Sequence, residues 1–149
     1  MSTWGQPEHV VARFSLENGK VQEIFISAQY GFRHRSPNGT ILIRYALRNG
    51  AWLRTELNDD EVSALTGAKD TYDGLNRLSE THEVCGSDMF SRQMFGVNGR
   101  RWDGKRWISG GPILDLSLPG GDAIRADLNR HHPHINKTRE NGRWVTKKF

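Results

Sequence analysis

Cys85 is the chain's one cysteine, so an internal disulfide is excluded and a reducing cytosol is the expected compartment. No apolar run approaches the roughly 20 residues that span a bilayer. The opening stretch, MSTWGQPEHVVARF, lacks a basic segment followed by an apolar one, so no secretory signal is expected and the protein is read as soluble and cytoplasmic. Missing too are a G-x-G-x-x-G fingerprint, a P-loop and a serine in a G-x-S-x-G elbow. There is no low-complexity run and no solenoid-length repeat. These absences set aside disulfide scaffolds, helical membrane spans, repeat arrays and the common nucleotide-loop enzymes.

What is present is ordinary in bulk. The 149 residues are 36% hydrophobic and 26% charged, which suits one polar globular domain. Such a chain buries about two-thirds of its extended surface on folding, enough for a core without staples. The charge layout is uneven. Residues 1–55 carry seven Lys/Arg against three Asp/Glu, residues 56–88 two against nine, and residues 89–149 twelve against five. An acidic middle between basic ends points to a surface for nucleic acid or another anion built from the ends. The competing reading is internal neutralisation, with the acidic run as a solvated face.

Asn-Gly occurs five times, at residues 18, 38, 49, 98 and 141, and Asp-Gly twice, at 73 and 103. These pairs tolerate the positive φ angles of a type I′ turn, whose twist suits paired strands. Residues 10–16 and 21–27 should form one hairpin, and 40–48 with 51–57 a second. In the second, a two-residue loop sets Leu47 opposite Trp52 and Tyr45 opposite Arg54. Alternation puts Ile41, Ile43, Tyr45 and Leu47 on one face, with Arg44 and Arg48 on the other. Asn58 with Glu61 forms a capping box for a helix that Gly67 closes. A weaker helix covers 71–79, interrupted by Gly74. Ser87 can cap another through Met94, and Asp122 caps 123–129 before Pro133 stops it. The expectation is α+β: an antiparallel, hairpin-rich sheet with three or four short helices. A flexible stretch (1–7) precedes the domain (8–135), and a basic tail or final hairpin (136–149) follows it.

Chemistry concentrates in NGRRWDGKRWIS, residues 98–109. A turn at Asp103-Gly104 pairs Trp102 with Lys105 and Arg100 with Trp107, and sets Arg101 against Arg106. That like-charge pair costs stability unless the face binds an anion. Arginine offers forked donors to phosphate, and tryptophan a plate on which a base stacks. Asn98-Gly99 competes as the turn, placing Gly96 opposite Arg101 and Phe95 opposite Trp102. The tryptophans could equally serve as half of a core, or the hairpin as a surface for a protein partner. Arg33 and Arg35 flank His34 in a loop that follows Tyr30 and Phe32. Lys137, Arg139, Arg143 and Trp144 repeat the mixture of cations and aromatics near the end.

The leading expectation is therefore a small nucleic-acid-binding accessory protein that acts by binding. Its contacts are Arg33, Arg35, Arg100, Arg101, Trp102, Lys105, Arg106, Trp107, Lys137, Arg139, Arg143 and Trp144. No cofactor is expected. The alternatives are a pocket for one free nucleotide, a protein-inhibitor module docking through residues 56–88, and a small phosphoester- or nucleotide-acting enzyme. The enzyme would use His34, His131, His132 and His134. In it His132 and His134, which share a face across Pro133, could hold a metal with His131 or a carboxylate such as Asp127 or Asp115 as a further ligand. His82 beside Cys85 is a weaker pairing. The turn at 119–122 leads into a helix as phosphate-binding turns do, but Asp122 would repel phosphate. The protein's compact character suggests an accessory of a phage or other mobile element, and no motif carries that suggestion.

Overall fold

The computed structural model describes residues 10–27, 42–69, 71–86, 90–96, 100–102, 105–110, 112–133, 135 and 137–146; for 71, 72, 91, 92, 101, 102, 137–140 and 144–146 it describes the backbone alone. Two Asn-Gly turns build the frame. β1 (Val10–Glu17) and β2 (Lys20–Ser27) meet at Asn18-Gly19, and β3 (Leu42–Arg48) and β4 (Ala51–Leu57) at Asn49-Gly50. Asn18 and Gly19 have φ of 54° and 76°, and Asn49 and Gly50 of 53° and 76°. Positive φ at both positions is what a type I′ turn requires. Leu47 stands opposite Trp52 and Tyr45 opposite Arg54, as the turn position dictates. β5 (Glu83–Gly86) adds antiparallel to β1, and the sheet runs β4-β3-β2-β1-β5. With four helices beside this sheet, the fold is α+β.

Both faces of the sheet are covered. On one, Phe14, Ile24, Ile26, Ile43, Tyr45 and Trp52 pack with residues of α3 (Phe90–Phe95), α4 (Gly121–His131) and the segment 113–116. On the other, Phe25, Leu42 and Leu57 pack with Val62 of α1 (Asp59–Thr66) and Leu75 and Leu78 of α2 (Thr71–Thr81). Each such large apolar side chain contributes about 1.5–3 kcal/mol on leaving water. Two-sided burial explains why β2 carries Ile24, Phe25 and Ile26 in succession instead of alternating with polar residues.

Asn58 caps α1 with the expected capping box, and Gly67 ends it at φ 75°. α2 corrects the interrupted helix: it runs unbroken through Gly74. A Cβ at Gly74 would lie 2.3 Å from Val62 Cγ1, so the glycine lets α1 and α2 cross closely. The cap of α4 is corrected too. Gly120, at φ 88°, takes the N-cap, and Asp122 sits in the first turn with Arg125 at 3.2 Å. The cause lies in β4. Trp52 donates its backbone N–H to Pro119 O (2.8 Å), and a Cβ at Gly120 would lie 2.4 Å from Trp52 O, so only glycine permits this docking. α4 stops at His131, before Pro133.

Two short hairpins complete the described chain: β6 (Arg100–Trp102) with β7 (Trp107–Ser109), and β8 (Lys137–Glu140) with β9 (Arg143–Thr146). The second turns at Asn141-Gly142, with φ of 50° and 77°. Among the described residues no helix is long and apolar enough to cross a membrane.

Candidate functional site

The β6–β7 hairpin does not take the register expected of it. Four residues, 103–106, connect the strands, so Arg100 pairs with Ser109, Arg101 with Ile108 and Trp102 with Trp107. The direct opposition of Arg101 and Arg106 is thereby avoided, and two tryptophan positions face each other instead. Aromatic cross-strand pairs are worth about 0.2–1 kcal/mol, whereas opposed like charges cost stability. Asn98-Gly99 does not turn a hairpin onto Phe95, because Phe95 ends α3. Arg100, Lys105 and Arg106 are exposed, and Trp107 and Ile108 are half-buried. None of these side chains belongs to either core cluster. Strands of three residues have no interior of their own. The hairpin therefore brings cations and an indole to the surface together.

The β8–β9 hairpin sets Arg139 opposite Trp144, Lys137 opposite Thr146 and Glu140 opposite Arg143, whose side chain is exposed. Arg33, His34, Arg35 and His134 lie outside the described residues.

His131 and His132 diverge. The Nε2–H of His132 donates to Ser27 O, pinning the end of α4 to the end of β2. Burial drives its pKa down to about 4, so the ring is neutral at pH 7. His131 is half-buried with its pKa lowered by desolvation, and its Nδ1 has no hydrogen-bond partner among the described residues. Asp127, the neighbouring carboxylate, is already held: Tyr45 donates its hydroxyl to Oδ2, and Arg54 donates through Nε (2.9 Å) and Nη2 (3.3 Å). Burial and the bond to Asp127 keep the Tyr45 phenol protonated far above its ordinary range. Asp115 accepts from the Ser117 N–H at 2.9 Å and from its hydroxyl. Among the described residues no three His, Cys, Asp or Glu side chains converge as a metal site would need. Cys85 is buried, its thiol is pushed up to about 12 by desolvation, and its Sγ faces Gly86 O, away from nucleophilic use.

Two constellations escaped sequence reasoning. Arg13 is fully buried, and among the described residues it donates to neutral acceptors: Leu75 O and Ser79 Oγ at 3.1 Å, and Ser27 Oγ at 2.8 Å. Burial lowers its pKa to about 10, and its Nη2 has no hydrogen-bond partner among the described residues. The signal was a cation inside the apolar run VVARF. The other lines a cleft of about 290 Å3 between α1, α2 and β2, bounded by Glu23, Phe25, Leu65, Arg77, Leu78 and Thr81–His82 among others. There Glu23 Oε2 accepts from Arg44 Nε (2.8 Å) and Oε1 meets His82 Nε2 (3.0 Å). Burial alone would raise the Glu23 carboxyl, but hydrogen bonds from His82 and Arg44 outweigh it and hold it below the usual range. The Phe25 ring stands edge-on to His82 at 5.5 Å, and Arg44 lies over it at 5.8 Å. Glu23 and His82 are far apart in the chain, so local pattern could not join them.

No protein-family model, no curated protein and no solved structure matches this chain.

Proposed function

We propose that the protein binds phosphate-bearing ligands, nucleic acid foremost, through the β6–β7 hairpin with help from the basic residues of β8–β9 and of the segment holding Arg33 and Arg35. The observation that carries the reading is the exposure of Arg100, Lys105 and Arg106 beside a half-buried Trp107, none of which belongs to either core cluster. Cations neutralise phosphates and release their counterions, and an indole with one open face stacks on a base for about 1–3 kcal/mol. Function is binding, with no reaction at this surface and no cofactor. A reducing cytoplasm is its place of action, in keeping with a lone, buried Cys85.

Elsewhere in the fold charges neutralise one another internally. Glu23 is matched by Arg44, and Asp127 and Glu56 by Arg54, all on the central sheet and α4. Asp59, Asp60 and Glu61 occupy the first turn of α1, where the helix dipole stabilises them.

The test is fluorescence-polarisation binding of a labelled single-stranded oligonucleotide to the wild type and to Lys105→Glu/Arg106→Glu. Both positions are solvent-facing, so the variant should keep the wild-type circular dichroism. A loss of affinity of tenfold or more in the folded variant is expected; equal affinity would remove the hairpin from the site.

A further inference from the structure

We infer that Thr81, His82 and Glu23 form a second, catalytic site, in which Thr81 Oγ1 is the nucleophile, His82 the general base and Glu23 its positioning residue, acting on neutral acyl compounds of the ester class bound in the cleft between α1, α2 and β2. The inference is independent of the binding function proposed for the hairpin.

The geometry is a continuous chain. Thr81 is the last residue of α2, and its Oγ1 lies 2.9 Å from His82 Nδ1. His82 Nε2 lies 3.0 Å from Glu23 Oε1. Both separations fall within the roughly 2.6–3.2 Å that links a nucleophile to its base and the base to the group that orients it. A backbone bond from His82 N–H to Leu78 O (2.8 Å) and the edge contact with Phe25 fix the imidazole.

Proton positions follow from the partners. Glu23, held ionised by His82 and Arg44, can only accept, so Nε2 carries a hydrogen toward it. In the tautomer that a general base requires, Nδ1 then presents its lone pair to the Thr81 hydroxyl. Thr81 Oγ1 also lies 3.4 Å from Leu78 O, a longer and weaker contact.

The surroundings suit a neutral, partly apolar substrate. Thr81, His82 and Glu23 all line the same cleft of about 290 Å3. Phe25, Leu65 and Leu78 supply an apolar wall, and Leu65 is 49% exposed, an open apolar surface at the mouth. Glu80 offsets Arg77 and Arg44 matches Glu23, so the cleft has no cationic excess to draw a polyanion, which separates it from the cationic hairpin. Arg77 also lines the cleft, with its Nη1 toward Gly67 at the end of α1.

In the reaction Thr81 Oγ1 forms a bond to the carbonyl carbon while its proton passes to His82 Nδ1. The tetrahedral intermediate collapses with cleavage of the ester C–O bond, and the departing alcohol oxygen takes the proton from His82. Water then attacks the Thr81 ester by the same route, releasing the carboxylic acid and restoring the threonine. No oxidant, reductant or metal enters.

The test uses the full chain with p-nitrophenyl acetate and p-nitrophenyl butyrate, and intact-mass analysis after an alkyl fluorophosphonate, which exchanges fluoride for a bond to the nucleophilic oxygen. Expected are p-nitrophenol release and a single adduct on the peptide containing Thr81. Thr81→Val should abolish both, Thr81→Ser should keep both, and His82→Gln should slow turnover by about 10²–10⁴-fold. Glu23→Gln should lower kcat and leave KM, because a glutamine can donate to Nε2 and install the wrong tautomer. Circular dichroism confirms that each variant is folded. Turnover by Thr81→Val equal to wild type, an adduct mapping elsewhere, or no adduct on folded wild type would each overturn the assignment.

Discussion

His132 should make stability fall steeply in mild acid, and a single substitution should remove that fall. In the unfolded chain a histidine protonates as the pH drops through its ordinary 6.5; in the fold, buried and donating to Ser27 O, His132 resists until about 4. The unfolded state therefore binds more protons throughout that interval, so stability is lost as pH decreases from 6.5 to about 4. Above 6.5 the residue is neutral in both states and contributes no slope. At about 1.36 kcal/mol per pH unit the interval is worth about 3 kcal/mol, a large share of the 5–15 kcal/mol typical of a domain. His132→Gln is the informative change: its amide N–H can still reach Ser27 O, and it does not titrate. At pH 7.5 the variant should lie within about 1 kcal/mol of the wild type, the scale of one hydrogen bond. At pH 4 it should have lost about 3 kcal/mol less than the wild type. Urea unfolding followed by tryptophan fluorescence from pH 4 to 7.5 measures both. His131, also lowered by burial, remains in both proteins and cancels in the difference. Parallel pH profiles would refute the reasoning.

Gly74→Ala should destabilise by about 1–3 kcal/mol in thermal or urea unfolding, since the new methyl meets Val62 Cγ1 at 2.3 Å. The same change in an open helix would stabilise by up to about 1 kcal/mol, so the sign alone decides whether α1 and α2 cross where described. Tyr45→Phe should cost about 1–3 kcal/mol by leaving buried Asp127 without its hydroxyl donor. An unchanged urea midpoint would mean that Arg54 alone satisfies the carboxylate.

Local features were legible in the sequence. The Asn-Gly turn at 49 set the pairing of β3 with β4 along its length, whereas the turn at 18 set only the pairs beside it, since a bulge between Ser15 and Leu16 shifts the rest of β1 against β2. Asn58 and Glu61 named the start of α1, because every group of a capping box lies within four residues. Features decided by contacts between distant segments were not legible. Gly120, and not Asp122, caps α4 because Trp52 lies against it from another element. The β6–β7 register pairs Trp102 with Trp107 and keeps Arg101 off Arg106, a choice that turn propensity alone does not report. The aromatic and basic makeup of the hairpin was visible in NGRRWDGKRWIS; that Arg100, Lys105, Arg106 and Trp107 lie outside both core clusters was not. The Thr81–His82–Glu23 chain and the buried Arg13 unite residues about sixty positions apart, which no periodicity can report.

The central claim is an electrostatic, phosphate-contacting surface, and its most direct test is the salt dependence of wild-type binding to a single-stranded oligonucleotide. Contact with six to eight phosphates predicts that log affinity falls against log salt with a slope of about −4 to −7. An affinity that stays flat across the salt series, or no binding at low salt, would contradict the account.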